Sequence, residues 1–336
     1  MMNYKKISSF DADERLPQFR KKKEQEDIVQ LINEGLQSIQ QMFEKNKTES
    51  NHQILLILGA PRSGTTLLSQ MLASRLDVGY PSNLMARFYE APAVGAFLQE
   101  TLIKNRFHNY KKYQSIHGTT QRIEEPHEFG YFWSRHLAAS EDVHEPDDNR
   151  IKEIDIRDLN TELQSVVSIF KKPVVFKCPL GNFFIPVLRL IPNIFFIDLQ
   201  RNLLELAQSI WRVRQERLGS AEKWWSLRPR HYYQLKRLPP AQQIAGQILA
   251  IRSAITRGLS DVEENRKLVI NYEELIKEPE AVIDKVIQKL LRLKSHVKKV
   301  GEPISYLGHY NKKHLGPEIE SEIEKAFDQA TEVIKI

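Results

Sequence analysis

Four short apolar runs stand out from a chain whose remaining apolar residues mostly recur at helical spacing. The first, Ile54-Leu55-Leu56-Ile57-Leu58, is unbroken and of strand length, and Gly59-Ala60-Pro61 ends it. The others are Pro173–Cys178 (PVVFKC), Ile194–Leu199 (IFFIDL) and Lys267–Asn271 (KLVIN). A run without polar alternation predicts a strand buried on both faces, as in a parallel sheet. Helical patterns follow three of these runs. They cover about Gly64 to Arg75, with Leu67, Leu68, Met71 and Leu72 on one face, then Asn202 to Arg217, then Pro279 to Leu293. Strands alternating with helices predict an α/β fold, a central parallel sheet flanked by helices.

Around that core the pattern changes. Residues 1–20 predict a loosely held arm. Over 24–45 the residues Ile28, Leu31, Ile32, Leu36, Ile39 and Phe43 recur at helical spacing, which predicts one amphipathic helix on the outside of the domain. The stretch from about 80 to 170 carries helical patterns and loops but no strand. An insertion of that length, directly after the first strand–helix unit, is where a substrate-binding cap would lie. No repeat, low-complexity tract or linker divides the chain, so a single domain over 1–336 is expected, with its core at 54–290.

Composition narrows the class. With 336 residues, 41% of them hydrophobic and 27% charged, the chain can bury a sizeable core. Its one cysteine, Cys178, excludes an intramolecular disulfide framework and a cysteine-rich zinc site, and fits a reducing compartment. The strongest apolar run, Ile54 to Ala60, falls far short of the ~20 residues of a membrane-spanning helix. The first residues contain no apolar signal-peptide core, so a cytoplasmic protein is expected. The net charge of +6 suits an anionic ligand, an anionic acceptor or nucleic acid, without separating them. The basic run Arg20-Lys21-Lys22-Lys23 meets Glu24, Glu26 and Asp27 at once, which reads as a solvated helix start. Zinc-finger spacing and RNP-like aromatic motifs are absent from the sequence, so no nucleic-acid partner is expected.

The candidate chemistry begins at Gly59-Ala60-Pro61-Arg62-Ser63-Gly64-Thr65-Thr66, between a buried strand and a helix. Glycines let backbone approach an anion, and the N–H groups at the helix start point toward it. The hydroxyls of Ser63, Thr65 and Thr66 add donors, and Arg62 adds a fixed positive charge. The pattern is close to the nucleotide-triphosphate loop G-x-x-x-x-G-K-[ST], but Thr65 stands at the lysine position. That substitution argues against ATP or GTP hydrolysis, as does the lack of an evident acidic residue for magnesium. A kinase or triphosphatase and a non-catalytic nucleotide-binding module remain the alternatives.

GAPRSGTTLL resembles the 5′-phosphosulfate loop of the P-loop sulfotransferases, in the branch that carries PRSGTT. The resemblance extends to Phe196-Ile197-Asp198-Leu199-Gln200-Arg201 with Ser209, similar to the family's 3′-phosphate site. It also takes in Lys177-Cys178-Pro179, like the family's strand-end Lys-x-Pro, and Asn271-Tyr272-Glu273-Glu274-Leu275 with Pro279, read as a structural segment. The family often has Arg-Asp-Pro where this chain has Arg201-Asn202-Leu203. Proline favours the first helical position, but Asn202 is itself a good helix cap. The matched blocks span about 54–290. The resemblance implies a P-loop NTPase-like sheet topology and 3′-phosphoadenosine 5′-phosphosulfate as co-substrate, without a metal. It implies Arg62, Ser63, Gly64, Thr65 and Thr66 on the 5′-phosphosulfate, Arg201 and Ser209 on the 3′-phosphate, and Lys177 facing the reacting centre. The acceptor would be a hydroxyl or amine of a carbohydrate, glycolipid or small metabolite.

Such a transfer needs a base for the acceptor. The stretch where related enzymes carry a glutamate, Gly79 to Asn83, has no carboxylate. The candidates are Glu128 or His127, within Glu124-Glu125-Pro126-His127-Glu128, and then Glu90. The basic, aromatic segment Trp224 to Pro240 reads either as a lid over an anionic acceptor or as a plain surface loop.

Overall fold

The computed structural model describes residues 14–48, 50–108, 110, 113–137, 142–305, 307 and 315–334. All four apolar runs become strands: β1 (Ile54–Leu58), β2 (Val174–Lys177), β3 (Ile194–Gln200) and β4 (Lys267–Asn271). They form one parallel sheet in the order β2-β1-β3-β4. Every residue of β1 is buried, because β1 is central and both sheet faces are covered. The pleat divides its side chains. Ile54, Leu56 and Leu58 join the larger core, and Leu55 and Ile57 join the smaller one on the other face.

Helices fill both layers. In chain order they are α1 (Lys23–Lys45), α2 (Thr65–Arg75), α3 (Pro92–Leu102), α4 (Gly130–His136), α5 (Asp148–Lys152) and α6 (Ile156–Phe170). Then come α7 (Gly181–Leu188), α8 (Leu203–Leu218), α9 (Tyr232–Leu235) and α10 (Pro240–Ser260). The last are α11 (Tyr272–Lys277), α12 (Pro279–Arg292) and α13 (Pro317–Ile334). Asn202 caps α8 as its residue type suggests, its Oδ1 accepting the Glu205 N–H at 3.2 Å. The 80–170 insertion supplies α3 to α6. The C-terminal end of α2 is tied to α12 by Arg75, which forks onto Glu280 at 2.7 and 3.0 Å.

Three features depart from simple pattern reading. Residues 1–13 of the expected arm lie outside the described residues. From there on the arm is docked: Leu16 N–H donates to the Arg217 carbonyl at 2.9 Å, and the Phe19 ring lies 5.6 Å from the Arg217 guanidinium. The helix α1 docks largely by amides. Asn33 Nδ2 donates to the Arg87 carbonyl at 2.7 Å, while Asn33 and Gln40 accept the Glu90 and Ala93 N–H groups, each at 2.9 Å. These amides satisfy backbone groups that the turn into α3 leaves without partners. The Trp224–Pro240 segment is packed rather than laid over the site. Trp224, Trp225, Leu227, Tyr232 and Leu235 are buried, and Trp224 meets Tyr232 edge-on at 4.9 Å.

Candidate functional site

The loop after β1 is held from below by a residue that sequence reasoning missed. Asn182, fully buried at the start of α7, accepts the Gly59 N–H at 3.0 Å and donates to the Gly59 carbonyl at 2.9 Å. This reciprocal pair fixes where the chain leaves the sheet. Arg62 then takes a left-handed conformation, φ 72°, and Gly64 another, φ 100°. Only glycine suits that second position, since a Cβ there would lie 2.6 Å from the Tyr272 ring. The first helical hydrogen bond of α2 runs from Leu68 N–H to the Gly64 carbonyl. The N–H groups of Thr65 and Thr66 precede it, so helix geometry leaves them for another acceptor. Ser63 Oγ is buried and has no hydrogen-bond partner among the described residues. A buried hydroxyl without an acceptor costs about 1–3 kcal/mol, a cost that an anion in the loop removes.

Beside the loop, β2 ends at Lys177. Its Nζ donates to Thr66 Oγ1 at 2.9 Å and lies 3.1 Å from Glu128 Oε2 and 3.4 Å from the Gly118 carbonyl. Thr66 Oγ1 donates to the same carbonyl at 3.0 Å. A small polar cleft opens here, lined by Thr66, Ser69, Gly118, His127, Glu128 and Lys177. Its roof is a tight turn in which Ile116 and Thr119 exchange hydrogen bonds at 2.9 Å, with His117 and Gly118 both at positive φ. That is the geometry of a type I′ turn. Nothing in the unmatched stretch around His117-Gly118 marks it as part of the site, so Gly118 was missed.

Of the candidate bases, two reach the cleft. Partial burial pushes the Glu128 carboxyl up, but the Lys177 charge and the neighbouring His127 outweigh it and hold it below the usual carboxylate range. Burial pushes His127 down to about 4, with Lys21, Lys177 and Arg87 adding to the shift against the pull of Glu128. Its Nδ1 accepts the Phe129 N–H at 2.9 Å, so the neutral ring carries its proton on Nε2. Glu90 is not brought into the cleft. It lies against α1, with Gln37 Nε2 donating to its carboxylate at 3.2 Å, and burial raises its pKa.

The second cation sits on the other side of β1. Arg201, just past β3, donates from Nη1 to the Arg62 carbonyl at 3.1 Å and stacks 4.2 Å above the Tyr272 ring. Its Nε and Nη2 fork onto Glu205 at 3.2 and 3.0 Å. Ser209 accepts from Arg62 Nε at 3.0 Å. Arg62, Arg201 and Ser209 are therefore brought together at the carboxyl ends of neighbouring parallel strands, where ligands of open α/β sheets bind. Tyr272, read from sequence as structural, forms the floor under Arg201. Its place directly after β4, at the same sheet edge, is the signal that was available.

Two further charged groups are committed elsewhere. Asp198, paired in register with Leu58 of β1, is gripped by Arg252 at 2.5 and 2.9 Å. This strand carboxylate, level with the last residue of β1, is thus paired from α10. Among the described residues, His136, Asp158 and Glu162 also converge within 4.8 Å, and Arg135 forks onto Glu162 at 2.5 and 3.0 Å.

The family model of the sulfotransferase family matches residues 55–291, most of the chain and all of the sheet but its first residue. The chain belongs to the sulfotransferase family. Among solved structures it is similar to sulfotransferase STF1 of Mycobacterium tuberculosis H37Rv, at 11% identity and TM-score 0.45, covering 84% of this chain and 76% of that one. It is also similar to sulfotransferase STF9 of Mycobacterium avium, at 14% identity and TM-score 0.42, covering 84% and 69%. A third similar structure is the sulfotransferase domain of the Synechococcus PCC 7002 olefin synthase, at 15% identity and TM-score 0.40, covering 87% and 98%. No curated protein sequence matches the chain. Among the described residues no helix is long and apolar enough to cross a membrane.

Proposed function

We propose that this protein transfers the sulfuryl group of 3′-phosphoadenosine 5′-phosphosulfate to a hydroxyl or amine of a polar acceptor, a carbohydrate, glycolipid or small metabolite. The observation that carries the reading is Lys177, which joins Thr66 of the loop to Glu128 of the cleft. One cation thereby connects an anion-binding loop to the best-placed carboxylate. The hydroxyl-bearing and charged walls of the cleft, with Thr66, Ser69, Thr119, Thr120, Glu128 and Lys177, favour a polar acceptor over an apolar one. In the same reading the chain is a single sulfotransferase unit, insertion included, and buried Cys178 accords with a cytoplasmic location.

The roles follow from the chemistry. The Thr65 and Thr66 N–H groups, Ser63 Oγ and Arg62 hold the 5′-phosphosulfate, with Gly64 giving the backbone its close approach. Arg201 and Ser209 hold the 3′-phosphate. Glu128, ionised at neutral pH, takes the acceptor's proton as the acceptor atom bonds to sulfur. The bond from sulfur to the bridging phosphate oxygen breaks, and Lys177 donates to that oxygen as its charge grows. His127 donates from Nε2 and orients the acceptor. A kinase or triphosphatase finds no comparable support: Thr65 stands where the phosphate-binding lysine would be, and Arg252 holds Asp198.

Transfer of labelled sulfate from the donor to a panel of sugars, glycolipids and hydroxylated metabolites tests the reading. Glu128→Gln is expected to lower kcat by ~10²–10⁴-fold, the usual contribution of a general base, with affinity for adenosine 3′,5′-bisphosphate nearly unchanged. Full activity in that variant would remove Glu128 from the role. A wild-type chain that does not bind the bisphosphate would end the whole reading.

A further inference from the structure

The helix α1 has two unlike faces. The docked face carries Val29, Asn33, Leu36, Gln40 and Phe43, all buried or half-buried. The outer face carries Ile28, Leu31, Ile32, Ile39 and Met42, which are 57%, 66%, 46%, 42% and 61% exposed. Gly35 lies in the middle of this outer stripe, and a Cβ built on it would meet nothing within 4 Å. Five large apolar side chains in one exposed row, on a helix already docked by another face, mark a surface that something covers.

The order of the residues says what covers it. Ile28 and Met42 stand seven positions to either side of Gly35, and Leu31 and Ile39 stand four positions to either side. Two pairs placed symmetrically about one position are complementary to an antiparallel copy of themselves, the arrangement a two-fold axis generates, while Ile32, whose counterpart is Ser38, stands outside the symmetric set. We propose that two copies of the chain pair through α1, antiparallel, with the two-fold axis at Gly35. Ile28 of one copy packs on the partner's Met42, and Leu31 packs on the partner's Ile39. Gly35 faces the partner's Gly35, and the missing side chains let the two helix axes come close.

The flanking charges select the same orientation. Asp27 and Lys45 are both exposed and lie eighteen residues apart, which is five full helical turns, so they share one edge of the stripe. In the antiparallel pair Asp27 comes within about a turn of the partner's Lys45, and symmetry repeats the pair. A parallel pair would instead set Asp27 beside the partner's Asp27 and Lys45 beside the partner's Lys45. The apolar symmetry and the charges thus agree, and neither depends on how the donor site is read.

Cysteine cross-linking of the full chain tests both the pairing and its direction, since Cys178 is buried. Under mild oxidation Gly35→Cys is expected to give a covalent dimer, because only a residue on the axis meets its own copy. Ile28→Cys alone and Met42→Cys alone are expected to stay uncross-linked, whereas a mixture of the two gives the heterodimer. In sedimentation equilibrium the unmodified chain is expected as a dimer, and Leu31→Glu is expected to raise its dissociation constant by at least about tenfold, the effect of 1.4 kcal/mol. Asp27→Lys and Lys45→Asp should each weaken the dimer, and the double variant should restore it. Leu31, Asp27 and Lys45 are exposed, so circular dichroism of these variants should match the parent fold. A monomer at all concentrations would overturn the proposal, as would self-cross-linking of Ile28→Cys as efficient as that of Gly35→Cys.

Discussion

At the scale of single residues, the proposed donor site is a set of cations each held by an internal acceptor. The fork of Arg201, the edge best shaped for two phosphate oxygens, is turned onto Glu205. A phosphate that binds there must displace a carboxylate. Glu205→Gln is therefore expected to tighten adenosine 3′,5′-bisphosphate about fivefold or more, measured calorimetrically, and to leave adenosine 5′-monophosphate unchanged. Equal shifts for both ligands would show that Glu205 only braces the helix. The pH dependence is set by two groups. Glu128, with its pKa lowered, is ionised above that depressed value and loses its capacity as a base only as pH falls through it. His127, lowered to about 4, is neutral above that value and so at neutral pH. The rate of transfer is thus expected to lack an inflection near the ordinary histidine pKa of about 6.5, with its acid limb below the ordinary glutamate value of about 4.3. An inflection near neutrality that His127→Asn removes would contradict this.

At the scale of elements, the site is assembled from the ends of β1, β2 and β3, and its precision rests on how α2 is anchored. Arg75, the last residue of α2, is buried and forks onto Glu280 in the first turn of α12. The Arg75 hydrogen bonds, helped by the Ile304 N–H and Lys299 against the effect of burial, hold the Glu280 carboxyl at about 2, below its ordinary 4.5. A depressed acid stabilises the fold above its unfolded pKa, and that stability is lost as pH falls toward the folded value. Thermal melts are therefore expected to lose Tm between these two values, and Glu280→Gln should lower Tm at neutral pH while flattening the acid slope. A parallel drop at every pH would place the cost in packing instead. The elements themselves were legible in the sequence where one pattern dominated. A five-residue unbroken run such as Ile54–Leu58, ended by Gly59 and Pro61, is too short for a buried helix and suits a strand covered on both faces, so its strand was legible from local sequence. The seven-residue α4 was not legible, because its position follows from the left-handed Phe129 before it and from packing of Phe132 and Trp133.

At the scale of the whole molecule, the two ends of the proposed donor site come from residues 59–66 and 201–209, and the cleft beside Lys177 borrows Gly118, His127 and Glu128 from the insertion. The glycine loop was readable because its chemistry is local: a turn, free N–H groups and hydroxyls within eight residues. The order of loop, strand-end arginine and helix was readable for the same reason. Glu90 and Glu128 were indistinguishable in sequence, since both are carboxylates in an insertion of irregular loops. Only folding turned Glu128 to Lys177 and laid Glu90 against α1. Tyr272, Asn182 and Gly118 stayed hidden because their contributions are long-range contacts, a ring under Arg201, an amide on Gly59 and a carbonyl beside Lys177, which no spacing encodes. The apolar residues of α1 show the same division. Their helical period was fixed by the sequence, but which face met the domain was decided by backbone groups around Arg87, Glu90 and Ala93 that needed amide partners. Local chemistry thus determined the strands and the glycine loop, whereas the pairing of Glu128 with Lys177, the ring under Arg201 and the exposed stripe were decided by contacts between distant segments, because burial and pairing are properties of the packed chain.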